Sequence, residues 1–173
     1  PDNVGLMGAS AGGHLATLTA ATPESGDPDA KDPLARYDTR VNAVLAFFPP
    51  TDFLSWVGEN ADVAALLRSP AAGRILFHGG VTNQDEETIR AVAEAISPAR
   101  QVTSEFPPLL LIHGDADPLV PLAQSEILKK NLEELGVPVE LIVKAGGGHP
   151  WLTIAEEVKI GVDWLDDQLV GEQ

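Results

Sequence analysis

A chain of 173 residues, 44% apolar and 21% charged, has the length and composition of one globular domain with a real core. Its 11 basic and 26 acidic residues leave a net charge of −15, which repels phosphate backbones and argues against a nucleic-acid partner. The absence of cysteine excludes disulfides, thiolate metal ligands and a cysteine nucleophile, and no apolar run approaches the roughly 20 residues of a bilayer span.

In chain order, Val4–Met7 is a short apolar run that reads as a buried strand, followed by a glycine-rich turn and an Ala/Leu-rich helix over Ala11–Ala21. Pro23–Asp38, with its prolines and aspartates, reads as a surface loop. A second strand is expected over Val41–Phe48. Thr51–Pro107 is longer than a simple crossover needs, and is read as a crossover (51–107) with a lid-like insertion and a helix over Asp85–Ile96. A third strand, Leu109–His113, precedes a helix over Pro121–Leu135 that opens on proline and stops before Gly136. A fourth strand, Val139–Val143, is followed by a last helix with Ile154, Val158, Val162, Leu165 and Leu169 on one stripe. None of the strands alternates cleanly between apolar and polar, so burial on both faces and a parallel sheet are expected. Strand–helix alternation of this kind means an α/β fold, with residues 1–173 forming one domain.

The chemistry begins at Gly8-Ala9-Ser10-Ala11-Gly12. A serine on a strained strand-to-helix turn, flanked by small residues, is exposed for attack, with the helix N–H groups aimed at a developing oxyanion. The competing reading is an ordinary turn with Ser10 as helix N-cap. The rest of the chain favours the nucleophile. LLLIHGDADPLVP ends a strand and offers Asp115 and Asp117, and LIVKAGGGHPW ends the next and offers His149. Serine, acid and histidine therefore fall in that order at strand carboxyl ends, where open α/β sheets place their sites.

With GASAGGHLA, FPPTDF, HGDADPLVP and GGGHPW in place, the chain resembles the C-terminal part of a serine α/β-hydrolase. It is similar to carboxylesterases of the hormone-sensitive-lipase and bacterial feruloyl or acetylxylan esterase types. The resemblance runs from about Asn3 to the end. It implies the C-terminal half of that fold, a parallel sheet of about four strands flanked by helices. It also implies hydrolysis of carboxylic esters through an acyl-enzyme on Ser10, with His149 as general base and acid. Its HG-x-x-D-x-x-V-P motif puts the orienting acid on Asp117, with Asp115 as runner-up whose other role is to brace the loop. Ala11 would supply one oxyanion N–H. The second donor, an HGG-type loop, lies upstream of the nucleophile in the family, and His78-Gly79-Gly80, lying after it, is read as a decoy. The chain begins without Met and carries no signal-like segment, so the natural N-terminus is expected to be absent and the compartment is left open.

Other residues draw milder expectations. His14 is read as a packed or solvent-facing helix residue, with a minor role near the acyl site as the alternative, and Asp52 as a helix N-cap or turn residue rather than a substrate contact. Phe53, Trp56 and Trp151 are candidate substrate-binding residues whose default is core packing. The glycines before His149 are put down to flexibility. No cofactor and no metal are expected: His113, Asp115 and Asp117 lack a second histidine at ligand spacing. The expected partner is a small ester substrate, together with an N-terminal half chain or a second copy of this chain along the first strand's open edge. Two alternatives stay open: a prolyl-oligopeptidase-type peptidase, which usually carries an aromatic residue where Ala11 stands, and an inactive or assembly-dependent fragment.

Overall fold

The computed structural model describes residues 3–56 and 85–171. Within them, four parallel strands lie in the order β1-β2-β3-β4, where β1 is Gly5–Ala9, β2 Ala43–Phe47, β3 Leu109–Gly114 and β4 Val139–Lys144. Helices α1 (Ala11–Ala21), α2 (Glu86–Ala95), α3 (Pro98–Gln101), α4 (Ala123–Glu134) and α5 (Ile154–Val170) connect or follow them. Spatial order equals chain order, so each crossover steps to the neighbouring strand.

The two central strands are buried throughout, and their alternation divides the core into two layers. Val44, Ala46, Leu109 and Leu111 face α1 and α4 through Ala16, Ala20, Leu128 and Leu132. Leu45, Phe47, Leu110 and Ile112 face Trp151 and the α5 residues Ile154, Val158, Trp164 and Leu165. Each of these valine, leucine, isoleucine and phenylalanine side chains, where fully removed from water, contributes about 1.5–3 kcal/mol.

Burial on both faces fails at the outer strands. β1 and β4 are half-buried to exposed along their length, because each has a strand neighbour on one side only among the described residues. The last helix also departs from its expected stripe. Val162 is exposed, and Gly161 takes the core position, where a methyl group would meet the Leu45 side chain at 2.6 Å. The missing side chain lets α5 lie close against β2. Pro23–Asp38 is a loop with one 3-10 turn at Leu34–Arg36. Asp85 caps α2 by accepting from Thr88 N–H, so that helix starts where an acidic N-cap permits. The short α3, started by Pro98, was not expected. The lid-like part of 51–107 and His78-Gly79-Gly80 lie largely or wholly outside the described residues.

Candidate active site

Ser10 sits between β1 and α1 with φ 53° and ψ −121°, a backbone region costly to a residue with a side chain, by about 1–3 kcal/mol. The turn is held by Ser10 N–H donating to Phe47 O at 2.9 Å and His14 N–H donating to Ser10 O at 2.9 Å. The tight contacts fall on Gly8 and Gly13. A methyl at Gly8 would lie 2.2 Å from Gly12 O, and one at Gly13 would press on Gly8 O and Phe47 O at 3.1 Å. Gly12, the second glycine of the motif, faces open space among the described residues. Ser10 does not cap α1 with its side chain; the hydroxyl is directed elsewhere.

It reaches His149. Ser10 Oγ lies 2.8 Å from His149 Nε2, and His149 Nδ1 lies 2.6 Å from Asp117 Oδ2. The carboxylate only accepts, so Nδ1 carries the hydrogen and Nε2 presents its lone pair to the serine hydroxyl. Residues separated by up to 139 positions thus form one hydrogen-bonded line. The site is enclosed on the acid side, where the Asp117 side chain is 0% exposed and that of His149 10%. Asp117 Oδ1 is occupied separately, accepting from Leu119 N–H at 2.8 Å and Val120 N–H at 2.9 Å. Burial pushes the Asp117 carboxyl up, but the Val120 N–H, the His149 ring and the Leu119 N–H together outweigh it and hold the group below its ordinary value. Asp117 is therefore ionised wherever the protein is folded at neutral pH.

Two loops must meet for this line to form, and backbone contacts stitch them together. Asp115 N–H donates to Lys144 O and Ala116 N–H to Gly147 O, while Asp115 Oδ1 accepts from Gly146 N–H at 2.6 Å. Asp115 is thus a brace between the acid and histidine loops. Close approach accounts for Gly114 and Gly147: a methyl at Gly114 would meet Gly147 O at 2.2 Å and one at Gly147 would meet Gly114 Cα at 3.0 Å, while Gly146 adopts φ 69°. The His149–Pro150 peptide is cis.

Aromatic residues back the histidine. Phe48, itself at φ 37°, sets its ring 4.4 Å from that of His149 and 5.8 Å from that of Trp151. Trp151 belongs to the core on the α5 side, with Nε1–H donating to Glu157 Oε2 at 2.8 Å, and Glu157 in turn accepts from Lys144 Nζ. On the other flank His14 donates Nδ1–H to Pro50 O at 3.1 Å and meets the Phe53 ring edge-on at 5.2 Å. Burial lowers the His14 pKa, partly opposed by the Pro50 carbonyl. Phe53 stacks on Trp56, centroids 5.7 Å apart. Phe53 and Trp56 therefore lie on the His14 side, and Trp151 adjoins His149 through the Phe48 ring.

The loop that carries Phe53 rests on a buried polar group with no obvious sequence signal, Gln124. Its Oε1 accepts from Thr51 N–H at 2.8 Å and Asp52 N–H at 2.7 Å, its Nε2–H donates to Ser55 O, and Thr51 Oγ1 donates to the Gln124 carbonyl. Asp52 is a turn residue as expected, accepting from Leu54 N–H, but is also buried and paired with Arg100 Nε at 2.9 Å. Among the described residues no three acidic, histidine or cysteine side chains are grouped to hold a metal ion. No helix there is long and apolar enough to cross a membrane.

Comparison with known proteins gives this geometry its context. A sequence model of the BD-FAE family matches residues 1–132. The chain is similar to esterase LipQ of Mycobacterium tuberculosis, 27% identical over 159 residues that make up 92% of this chain and 35% of that protein. Among solved structures it is similar to a truncated carbohydrate esterase from gut microbiota, with a TM-score of 0.75 and 26% identity over 98% of this chain and 61% of that one. It is also similar to an acetyl ester-xyloside bifunctional hydrolase from Caldicellulosiruptor lactoaceticus, with a TM-score of 0.69 and 26% identity over 94% of this chain and 53% of the other. The chain thus spans about a third of LipQ and little more than half of either structure. Its four-stranded parallel sheet with flanking helices matches part of these longer esterase structures.

Proposed function

Because the chain belongs to the BD-FAE family of α/β-hydrolase esterases, we propose that it carries the nucleophile, acid and histidine of a serine esterase acting on carboxylic esters with short acyl or carbohydrate-linked groups. The observation that carries this reading is the line Ser10 Oγ–His149 Nε2–His149 Nδ1–Asp117 Oδ2, at 2.8 and 2.6 Å, beside the carboxyl ends of β1, β3 and β4. His149 Nε2 takes the serine proton as Oγ attacks the acyl carbon, and the ester carbonyl becomes a tetrahedral oxyanion. Ala11 N–H, at the first position of α1 where no intrahelical acceptor exists, faces that oxygen as one donor of the hole. His149 then gives its proton to the leaving alcohol, and Asp117 stabilises the imidazolium in between. Water repeats the sequence on the acyl-serine and releases the acid.

Phe53 and Trp56 are assigned to one wall of the substrate site, since the His14 ring joins them to the first turn of α1. Trp151 is assigned to support of His149 in place of substrate contact, because its N–H is already committed to Glu157. An esterase is favoured over a peptidase by Ala11 and by the esterase names of the relatives. Among the described residues β1 has a strand neighbour on one side only, Met7 on it is 48% exposed, and Leu15 on the adjoining α1 is 62% exposed. Rates on p-nitrophenyl acetate and an aminoacyl-anilide, for wild type and Ser10→Ala, test the reading. Ester turnover lost in Ser10→Ala supports it, and anilide turnover exceeding ester turnover would overturn it.

A further inference from the structure

His113 ends β3 and takes no part in the steps above, yet its ring is 0% exposed and lies against the acid loop. Nε2 is 2.9 Å from Val120 O, and Nδ1 is 2.7 Å from Ser125 Oγ on α4. A carbonyl can only accept, so Nε2 carries the hydrogen and Nδ1 accepts the Ser125 hydroxyl. In its neutral form the ring is thereby held as a single tautomer. Its Nε2–H edge also faces Asp117 Oδ2 at 3.6 Å, the same oxygen that receives His149. The charged and titratable groups around it are Asp117 in the acid loop, His149 from the β4 side and Glu126 on α4. Phe48, at the end of β2, covers it with a ring 6.4 Å away.

We propose that His113 is a positioning residue for Asp117: by donating Nε2–H to Val120 O it fixes the 117–120 turn, so that Oδ1 is taken by backbone N–H groups and Oδ2 is left aimed at His149. Val120 links the two halves of this arrangement. Its carbonyl is held by His113, while its N–H holds Asp117 Oδ1. Releasing the carbonyl frees the peptide that sets the carboxylate plane. Neutrality matters as much as shape, since a charged ring at that distance would compete with His149 for Oδ2. Burial lowers the His113 pKa, against the pull of the Val120 carbonyl, Asp117 and Glu126 toward the charged form and with His149 acting in the same direction as burial.

The inference rests on the reading of Ser10, His149 and Asp117 as the catalytic line, and its test separates the two. The intact natural protein is made as wild type, Ser10→Ala, His113→Leu and His113→Gln, and active sites are counted with a fluorophosphonate. Leucine removes both hydrogen bonds, and kcat per titrated site is expected to fall about 10–100-fold with KM within about twofold. The acid limb of the rate profile moves to lower pH, because the His149 imidazolium loses its well-placed partner. Glutamine can donate to Val120 O and accept from Ser125 at once, and is expected to recover most of the loss. A merely structural role would lower the thermal midpoint and the number of titratable sites, leaving turnover per site and the acid limb alone. Should the leucine variant not fold, His113→Asn, too short to reach Val120 O, takes its place against His113→Gln. A labelled wild type whose leucine or asparagine variant keeps kcat per site and acid limb overturns the positioning role alone. A wild type that Ser10 does not render labellable overturns both readings.

Discussion

Asp117→Asn changes one atom and is expected to disable the site through its tautomer. The carboxylate oxygens have different partners: Oδ1 accepts from Leu119 N–H and Val120 N–H, and Oδ2 accepts from His149 Nδ1–H. An asparagine in the same rotamer must keep its carbonyl oxygen toward the two backbone N–H donors, because an amide NH2 there would face them donor to donor. Its NH2 group therefore points at His149 Nδ1. That nitrogen must then accept, which moves the ring hydrogen to Nε2 and leaves Ser10 Oγ facing an N–H in place of a lone pair. General-base catalysis is lost while packing is unchanged. The same tautomeric error in a serine protease costs about 10⁴ in kcat, or about 5.4 kcal/mol of transition-state stabilisation at 1.36 kcal/mol per tenfold. The assay is kcat and KM on p-nitrophenyl acetate for the intact natural protein, with circular dichroism as the folding control. A folded variant losing less than about tenfold would refute the tautomer argument.

Three further outcomes follow from the packing and charge pattern. Gly8→Ala is expected to cost about 3 kcal/mol or more in chemical denaturation, since its methyl would meet the Gly12 carbonyl at 2.2 Å; Gly12→Ala, facing open space within a helix, should be neutral or stabilising by up to about 1 kcal/mol. Gln124→Leu strands Thr51 N–H and Asp52 N–H in the interior and should cost about 3 kcal/mol, together with a raised KM as the Phe53 loop loosens; an unchanged denaturation midpoint would contradict this. The Lys144–Glu157 pair should stabilise the fold in a defined pH window. Hydrogen bonding to Lys144 holds Glu157 below its ordinary value, so its contribution is complete above that value and lost as pH falls through the folded one; the bond to Glu157 raises Lys144, so its contribution is complete below the ordinary lysine value and lost as pH rises through the folded one. The stability gap between wild type and Glu157→Gln should therefore be widest between about pH 4.3 and 10.4 and shrink on either side.

Much of this arrangement was legible because it depends on local patterns. Leu109–Ile112 is apolar at every position and runs directly into His113-Gly114-Asp115, so both the central strand and its loop could be read together. The strand–Gly-x-Ser-x-Gly–helix junction shows itself in the same way. What stayed hidden depends on contacts distant in sequence. The glycine motif points to Gly8 and Gly12, whereas the crowding falls on Gly8 and Gly13, because it is set by how closely α1 passes β1 and Phe47. Val162 fits a helical stripe as well as any residue, but the approach of α5 to Leu45 turns Gly161 inward. Gln124 looks like a surface residue near a helix start until the chain returns Thr51–Ser55 to its side. The half-exposed outer strands follow from sheet position, which a run of apolar residues does not encode.

Every role assigned above depends on Ser10 carrying the acyl group. That step is tested most directly by acid-quenching the intact natural protein during turnover of p-nitrophenyl acetate and mapping the acetyl mass by peptide mass spectrometry. A 1:1 adduct is expected on the peptide containing Ser10, lost in Ser10→Ala and in His149→Ala. Ester turnover with the adduct on another residue, or undiminished in Ser10→Ala, would contradict that step.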